Sequence, residues 1–243
     1  MPESTTTDLT LHSLLQRDDV RGLVFDLDGT IVDSAADIIN GMRLTFQQAG
    51  LGTLPQDYFP DNLHGTSEGI MRDILADMGW QAPTDFSPLK AQYVQNYSTL
   101  GHGTTQLYAG AQDVLNACRD ASLAMGICTN KVHASALAAT HKVGIHGLFD
   151  FISGSDSWAQ PKPSPIPLLE TIRMLGLEPE QCLYFGDTSI DAECARNAGV
   201  RFVLHASGYG DPALEDAPRY FAFSQWSELL GASTGSVNDI QAQ

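Results

Sequence analysis

The chain has 243 residues, 43% of them hydrophobic, which is enough for one large domain or two small ones with a substantial core. It carries 29 acidic and 13 basic side chains and a formal net charge of −16. This charge argues against a nucleic-acid partner, because such binding depends on lysine and arginine neutralising phosphates. A small anionic substrate is not excluded, since one local lysine or a bound cation reverses the field at a site.

Export and membrane signals are not found in the sequence. The segment 1–19 lacks the basic and apolar regions of a signal peptide, and no apolar stretch approaches the roughly 18 residues of a membrane span. The four cysteines contain no C-x-x-C pair. We therefore expect a cytoplasmic protein without a membrane partner, whose cysteines are reduced core residues.

The predicted elements begin with a buried strand over 20–27, followed by a helix over 34–49 with Ser34 as its N-cap candidate. Residues 50–103 contain short helical patterns interrupted by prolines. Beyond this region, helices are predicted over 108–119, 132–143, 165–175 and 190–198, and strands over 123–128, 149–153, 182–185 and 201–205.

The alternation of strands and helices after residue 107 predicts a parallel sheet with helices on both faces, an α/β, Rossmann-like core. The first strand stands apart from the second by almost the length of a small domain. An insertion explains this separation most simply. We expect residues 1–35 and 104–243 to form the α/β core and residues 36–103 to form an inserted helical cap domain.

Polar side chains follow the predicted strands at the points where the strands end. Ligands of open parallel sheets bind outside these carboxyl ends, so distant sequence positions are expected to meet at one rim. The residues concerned are Asp26 and Asp28 after the first strand, Thr129 and Asn130 after the second, Lys162 in a later loop, and Asp187 and Asp191 after the strand at 182–185.

The chemistry of this set is consistent with phosphoryl transfer. Crowded carboxylates need a cation, and a set of oxygen ligands suits Mg²⁺. The donors at Lys162, Thr129, Asn130 and the backbone around Gly29 suit an anion with several oxygens.

The two aspartates of the first strand suit two different roles. Asp26 is the candidate nucleophile, and Asp28 is the candidate general acid, which then acts as base for water.

Four short motifs resemble, in order, those of the haloacid dehalogenase-like hydrolase superfamily. They are D-L-D-G-T at 26–30, T-N at 129–130, K-P-x-P at 162–165 and G-D-T-x-x-D at 186–191. The run over 154–200 is similar in detail to the phosphoglycolate phosphatase-like branch. So is LYAGAQDVLNAC, although that branch more often has proline where Ala109 stands.

The resemblance implies a role for each matching carboxylate. Asp26 would be the nucleophile and a Mg²⁺ ligand, and Asp28 would be the general acid and base with its backbone carbonyl on the metal. Asp187 would ligate Mg²⁺, and Asp191 would support the metal site directly or through water.

The remaining matched residues are implied to bind the phosphoryl group. Thr129 and Asn130 would hold it, Lys162 would neutralise it and orient Asp26, and Gly29 would let the backbone approach it. The inserted segment 36–103 would close over the substrate and exclude water.

The resemblance predicts a Mg²⁺-dependent phosphatase of a small phosphorylated metabolite, with 2-phosphoglycolate as the first candidate. Phosphatases of sugar phosphates or nucleotides, and β-phosphoglucomutase-like isomerases, remain alternatives that share the motifs. A dehalogenase is disfavoured because Asp28 is acidic, and a non-catalytic role because the acidic residues and Lys162 are all present. Whether the protein is a monomer or a homodimer is left open.

The inserted segment carries few candidates for substrate contact. His64 lies in a loop that could reach the site. Arg43, Arg72 and Lys90 are its basic residues, and a solvated helix face fits each of them better than a substrate contact.

Overall fold

The structure, a computed structural model, describes residue 13, residues 19–61, residue 63 and residues 65–230. Its strands are β1 (Gly22–Phe25), β2 (Val32–Asp33), β3 (Gln106–Leu107), β4 (Ala124–Cys128), β5 (Phe151–Ser153), β6 (Cys182–Gly186), β7 (Arg201–His205) and β8 (Phe221–Phe223). Its helices are α1 (Ala35–Gln48), α2 (Ser67–Asp77), α3 (Ser87–Leu100), α4 (Ala111–Asp120), α5 (His133–Lys142), α6 (Ile166–Met174) and α7 (Ser189–Ala198).

Six parallel strands form the main sheet in the order β5-β4-β1-β6-β7-β8. Strand β1 lies at the centre, where Gly22 pairs with Ala124 of β4 on one side and with Cys182 of β6 on the other. This topology confirms the predicted α/β, Rossmann-like fold. Strand β8 was not predicted, because no α-helix separates it from β7 and it falls outside the strand–helix alternation that identified the other strands.

The sheet separates two apolar layers, and the alternation of side chains along β1 shows how they form. Leu23 and Phe25 pack into the layer covered by α4 and α5, whereas Val24 faces the layer covered by α6 and α7. All three side chains are buried. Helices therefore cover both faces, and the polar carboxyl ends of the strands are left for a site.

Helices α1–α3, which lie between β2 and β3, enclose a third apolar core of their own. Met42, Phe46, Met71 and Ile74 are among its fully buried members. The two-stranded antiparallel ribbon of β2 and β3 connects this layer to the main sheet. This ribbon was not predicted, because two-residue strands carry no readable period.

The predicted N-cap of α1 is confirmed in position, since Ser34 is its N-cap residue, although its side chain makes no capping hydrogen bond and its hydroxyl donates to Asp28. His102 lies in the loop after α3, where it is buried and its ring lies against Tyr97. The cysteine prediction is confirmed, since all four are buried free thiols. Among the described helices, none is long and apolar enough to cross a membrane.

Candidate active site

The carboxyl ends of β1 and β4, together with the loop after β5, border one pocket. Five of the predicted site residues line it, namely Asp26, Asp28, Thr129, Asn130 and Lys162. Asp187 and Asp191, which follow β6, lie close to Asp26. The fold thus brings together residues that are far apart in sequence, as the positions of the strand ends predict.

Asp26, Asp187 and Asp191 form a buried carboxylate cluster. One oxygen of each lies within 4.8 Å of one oxygen of each of the others. Burial raises the pKa of Asp26 to about 6, although Lys162 partly offsets this effect. Burial, followed by the charges of the other two aspartates, raises the pKa of Asp187 well above its usual range. Such crowding of carboxylates is stabilised by a nearby cation, and the Lys162 ammonium is one such cation.

Lys162 is buried against this cluster. Its Nζ lies 2.6 Å from Asp191 Oδ1 and donates to the hydroxyl of Tyr184 at 2.9 Å. It also forms a 3.0 Å ion pair with Asp26 Oδ1, an oxygen that makes no hydrogen bond within the described residues. Burial alone lowers the pKa of Lys162, but the charges of Asp191 and Asp26 outweigh it and raise that pKa. The side chain therefore stays an ammonium beside the candidate nucleophile.

Asp191 receives hydrogen bonds on both carboxylate oxygens. Lys162 and Tyr184 contact Oδ1, and the backbone and hydroxyl of Thr188 donate to Oδ2. Burial raises the pKa of Asp191, but the neighbouring Lys162 ammonium and these hydrogen bonds hold it below its usual value. Asp191 thus fixes the position of Lys162 and of the loop after β6.

Asp187 is held by donors from two distant loops. The hydroxyl of Thr30 donates to Oδ1 at 2.7 Å, and the backbone N–H of Tyr209 donates to Oδ2 at 2.8 Å. Gly29 lies directly against the carboxylate at φ +81°, where a Cβ atom would collide with Asp187 Oδ2. Glycine is therefore required at this position both by the backbone conformation and by the space available.

Asp28 lies on the pocket side of the nucleophile loop and is held by two side chains. The Ser34 hydroxyl donates to Oδ1, and Lys131 Nζ lies 2.9 and 3.0 Å from the two carboxylate oxygens. The same Lys131 Nζ lies 2.8 Å from the hydroxyl of Tyr97 on α3. Lys131 therefore connects the candidate general acid of the main sheet with the helical layer.

Asn130 makes a reciprocal contact with the backbone of Lys162. Its Oδ1 accepts the Lys162 N–H at 2.9 Å, and its Nδ2 donates to the Lys162 carbonyl at 3.1 Å. The neighbouring Thr129 is buried, and its hydroxyl accepts the Lys131 N–H at 3.2 Å. The side chain of Asn130 thus positions the loop that carries Lys162.

Helices α1–α3 supply the opposite wall of the pocket with apolar and hydroxyl-bearing side chains, including Ile70, Tyr93 and Tyr97. The cavity volume is about 80 Å³, far below that of a pocket for a drug-sized molecule. His64 lies outside the described residues.

The basic residues of these helices are engaged away from the pocket. Arg43 donates to the carbonyls of Leu54 and Pro55, and Arg72 and Lys90 both pair with Glu68. These three cations do not line the pocket, which agrees with the expected solvated faces.

Sequence reasoning missed several residues that hold the site. Lys131 directly follows the predicted pair at 129–130, so its position was a usable signal. Tyr184 lies within a fully buried strand, where a tyrosine hydroxyl needs a partner. Tyr209, whose hydroxyl accepts the Ser34 N–H at 2.9 Å, had no comparable signal.

Known proteins are similar to this chain over most of its length. The family model of haloacid dehalogenase-like hydrolases matches residues 23–205. A phosphoglycolate phosphatase of Rhodobacter capsulatus is 34% identical over 88% of this chain and 96% of that protein. One of Aquifex aeolicus is 30% identical over 78% and 86%.

A solved structure shares the fold. It is described as a predicted phosphoglycolate phosphatase from Haemophilus somnus 129pt, has a TM-score of 0.78 and 22% identity, and covers 87% of this chain and 97% of that one. The family match over residues 23–205 and the curated relatives show similarity in sequence as well as in fold. The chain therefore belongs to the haloacid dehalogenase-like hydrolases.

Proposed function

We propose that this chain is a Mg²⁺-dependent phosphatase that hydrolyses a small phosphomonoester, with 2-phosphoglycolate as the first candidate. The observation that carries the proposal is the buried cluster of Asp26, Asp187 and Asp191 beside the Lys162 ammonium. Curated relatives at 34% and 30% identity are named phosphoglycolate phosphatases, which supports the choice of substrate.

The donor set of the site fits a magnesium ion. Asp26 has a buried oxygen without a hydrogen bond, and carboxylate oxygens are the ligands that Mg²⁺ prefers. Asp26, Asp187 and the backbone carbonyl of Asp28 would hold the ion. Asp191, whose oxygens already accept several hydrogen bonds, suits a supporting position better than direct ligation. When bound, the ion supplies charge neutralisation at the phosphoryl oxygens.

The reaction begins with the Asp26 carboxylate attacking phosphorus. The bond between phosphorus and the leaving oxygen breaks, while Asp28 gives its proton to that oxygen. In the second step Asp28 takes a proton from water, the water oxygen attacks phosphorus, and the bond to Asp26 breaks. Inorganic phosphate leaves, and both aspartates return to their starting state.

The remaining groups position the transferring phosphoryl group. Lys162 neutralises its charge, and the Thr129 hydroxyl and the backbone N–H of Asn130 donate to its oxygens. The backbone N–H of Gly29 does not take part, because it donates to the Val32 carbonyl at 2.8 Å. Lys162 is already fixed by Asp191 and Tyr184, so little reorganisation is required when the substrate binds.

Residues 36–103 act as the cap in this proposal, and the remaining chain acts as the catalytic core. The cap contributes α1–α3, whose apolar side chains enclose the pocket and exclude water from it. A cavity of about 80 Å³ favours a metabolite of a few carbons over a nucleotide.

The proposal is tested by measuring phosphate release from a panel of phosphomonoesters. The panel contains 2-phosphoglycolate, hexose phosphates, sugar-acid phosphates and nucleoside monophosphates, each assayed with Mg²⁺ and with EDTA. We expect release with Mg²⁺ only, fastest from 2-phosphoglycolate. Asp26→Asn is expected to reduce kcat by about 10⁴-fold or more, because it removes the nucleophile.

The outcomes separate the alternatives. If hexose 1-phosphate is converted to the 6-phosphate without free phosphate, the protein is an isomerase instead. If Asp26→Asn keeps its activity, or no ester of the panel is turned over, the phosphatase proposal is wrong. A thermal unfolding curve of the variant establishes that a loss of activity does not come from a loss of fold.

A further inference from the structure

We propose that the ammonium of Lys131 binds a carboxylate attached to the carbon that carries the phosphate ester. The site then selects 2-phosphoryloxy acids over neutral phosphomonoesters of the same size. This inference rests on the proposed phosphatase function and defines the substrate class of the same site. It concerns a residue outside the four motifs and assigns it a role in specificity.

The charges that line the pocket support this assignment. Among the described residues that line it, two are lysines, Lys131 and Lys162. Lys162 is committed to Asp26 and Asp191 and faces the phosphoryl position. A second anionic group on the substrate would therefore meet Lys131, whose ammonium also pairs with Asp28. The other described side chains that line the pocket are carboxylates, apolar groups, hydroxyls and the Asn130 amide.

The position of Lys131 determines where this second anion must lie. In the proposed reaction Asp28 contacts the leaving oxygen of the ester. Lys131 Nζ lies 2.9 and 3.0 Å from the two oxygens of Asp28, so it is adjacent to that leaving oxygen. A carboxylate attached to the ester-bearing carbon is separated from the leaving oxygen by that one carbon. A longer spacer would carry it away from the ammonium.

A substrate carboxylate can replace or join the Tyr97 hydroxyl as a hydrogen-bond partner of Lys131. An ammonium has three N–H donors. In Lys131 they are shared between Asp28 and the Tyr97 hydroxyl at 2.8 Å. The hydroxyl is neutral, and a carboxylate forms a stronger, charge-assisted hydrogen bond with the same donor. The Lys131 side chain is only 6% exposed, so water screens this interaction weakly.

Among the described residues of the cap, the arginines and the lysine offer no competing contact. Arg43 binds backbone carbonyls, and Arg72 and Lys90 pair with Glu68 on the outside of the cap. Recognition of a second anion is therefore assigned to the core side of the pocket, one residue after the Thr129–Asn130 pair.

The test compares two esters that differ only in the group opposite Lys131. One is 2-phosphoglycolate, and the other is 2-hydroxyethyl phosphate, which has a neutral CH₂OH in place of the carboxylate. We expect wild-type kcat/KM to favour 2-phosphoglycolate, and Lys131→Met to reduce this preference by about 10- to 100-fold, the size of one hydrogen bond to a charged group. The ratio cancels any effect of Lys131 on Asp28, because that effect acts on both substrates.

Two controls sharpen the assignment. Lys131→Arg keeps the charge and is expected to retain most of the preference. An ester with one more methylene, 3-phosphonooxypropanoate, keeps the carboxylate but moves it away, so its kcat/KM is expected to be less sensitive to Lys131→Met. Equal sensitivity of the two acids contradicts the placement on the carbon that bears the ester.

A binding measurement keeps the inference independent of turnover. In the Asp26→Asn background, calorimetry with and without Lys131→Met gives the affinity for both esters. We expect the additional substitution to weaken binding of 2-phosphoglycolate by about 10-fold or more, with a smaller change for 2-hydroxyethyl phosphate. If both affinities and both kcat/KM values fall equally, Lys131 is only a structural partner of Asp28. Phosphate release that persists in the wild type then leaves the phosphatase proposal intact.

Discussion

The two walls of the pocket are built on different principles. On the core wall, charged groups lie at the ends of parallel strands, and each is held by several partners, as Lys162 is by Asp26, Asp191 and Tyr184. The cap wall presents apolar and hydroxyl groups such as Ile70 and Tyr97. In the proposed function, the chemistry depends on the fixed geometry of the core wall, and the cap wall contributes enclosure and shape.

Lys162→Met is the strongest test of the core wall in this comparison. The substitution removes the ammonium that is proposed to neutralise the phosphoryl group, and it leaves Asp26 and Asp191 buried without that charge. We expect kcat to fall by about 10²- to 10³-fold, the usual effect of losing one preorganised electrostatic group. Steady-state phosphate release measures this effect, and thermal unfolding measures any loss of stability caused by the unpaired carboxylates.

Lys142→Met is the matched control, because Lys142 is exposed at the end of α5. It removes an equal charge far from the strand ends and is expected to leave kcat unchanged. If kcat of Lys162→Met stays within about fivefold of the wild type, the ammonium is not needed for phosphoryl transfer. That outcome would contradict the expected loss of about 10²- to 10³-fold.

Asn130→Ala tests whether the core wall acts through position as well as charge. The substitution removes both hydrogen bonds to the Lys162 backbone and leaves their buried partners unsatisfied. We expect a loss of about 1–3 kcal/mol of stability. Because small displacements of a catalytic group are costly, kcat is also expected to fall by roughly 10- to 100-fold. Urea unfolding and steady-state kinetics measure the two effects separately.

Asn130→Asp is the informative companion variant. It keeps an acceptor for the Lys162 N–H but loses the donor to the Lys162 carbonyl. Its kcat is expected to lie between those of Asn130→Ala and the wild type. If Asn130→Ala turns over as fast as the wild type, Lys162 is positioned by Asp191 and Tyr184 alone.

The core wall could be predicted from the sequence for a physical reason. Strands and helices alternate with clear periods, and the carboxyl ends of parallel strands meet at one rim, so motif residues such as Asp26, Thr129 and Asp187 could be placed together. Five of the six strands of the main sheet, together with helices α1 and α4–α7, followed from the same pattern. The polar partners of these residues could not be placed, because their contacts join loops that are distant in sequence.

The cap and its connection to the core were harder to predict. The segment 50–103 was expected to contain short helical patterns interrupted by prolines, but the bounds of α2 and α3 were not predicted. The two-residue strands β2 and β3 carry no pattern at all. Lys131 was missed because a lysine in a loop has an ordinary surface role in most sequences. Only the folded chain shows that it is buried between Asp28 and Tyr97.

Asp37 lies at the junction of cap and core. Its substitution is expected to have the smallest effect of the variants that compare the two walls. This buried carboxylate on α1 accepts the N–H groups of Thr104 and Thr105 and the hydroxyl of Thr105, which lie just before β3. Burial by itself raises the pKa of Asp37, but these hydrogen bonds outweigh burial and lower it below the ordinary value of 3.8. The ionised form therefore stabilises the junction of cap and core.

Asp37→Asn is expected to affect stability and leave the chemistry almost unchanged. At pH 7 the loss of the charged acceptor is expected to cost about 1–3 kcal/mol, which lowers Tm by roughly 2–10 °C. Because the folded-state pKa is lowered, the wild-type advantage is fully present above pH 3.8 and is lost as the pH falls through the folded-state value. Scanning calorimetry of both proteins between pH 7 and pH 3 therefore measures a Tm difference that narrows with acid.

The exposed Asp57 in the same region offers the matched control, since Asp57→Asn removes an equal charge without a buried hydrogen-bond network. Its Tm is expected to stay close to that of the wild type at every pH. Asp37 does not line the pocket, so kcat/KM of Asp37→Asn is expected to remain within about twofold of the wild type at temperatures below unfolding. A fall in kcat/KM comparable with that of Asn130→Ala would contradict the division between the two walls. The junction would then control the geometry of the core site as well as the placement of the cap.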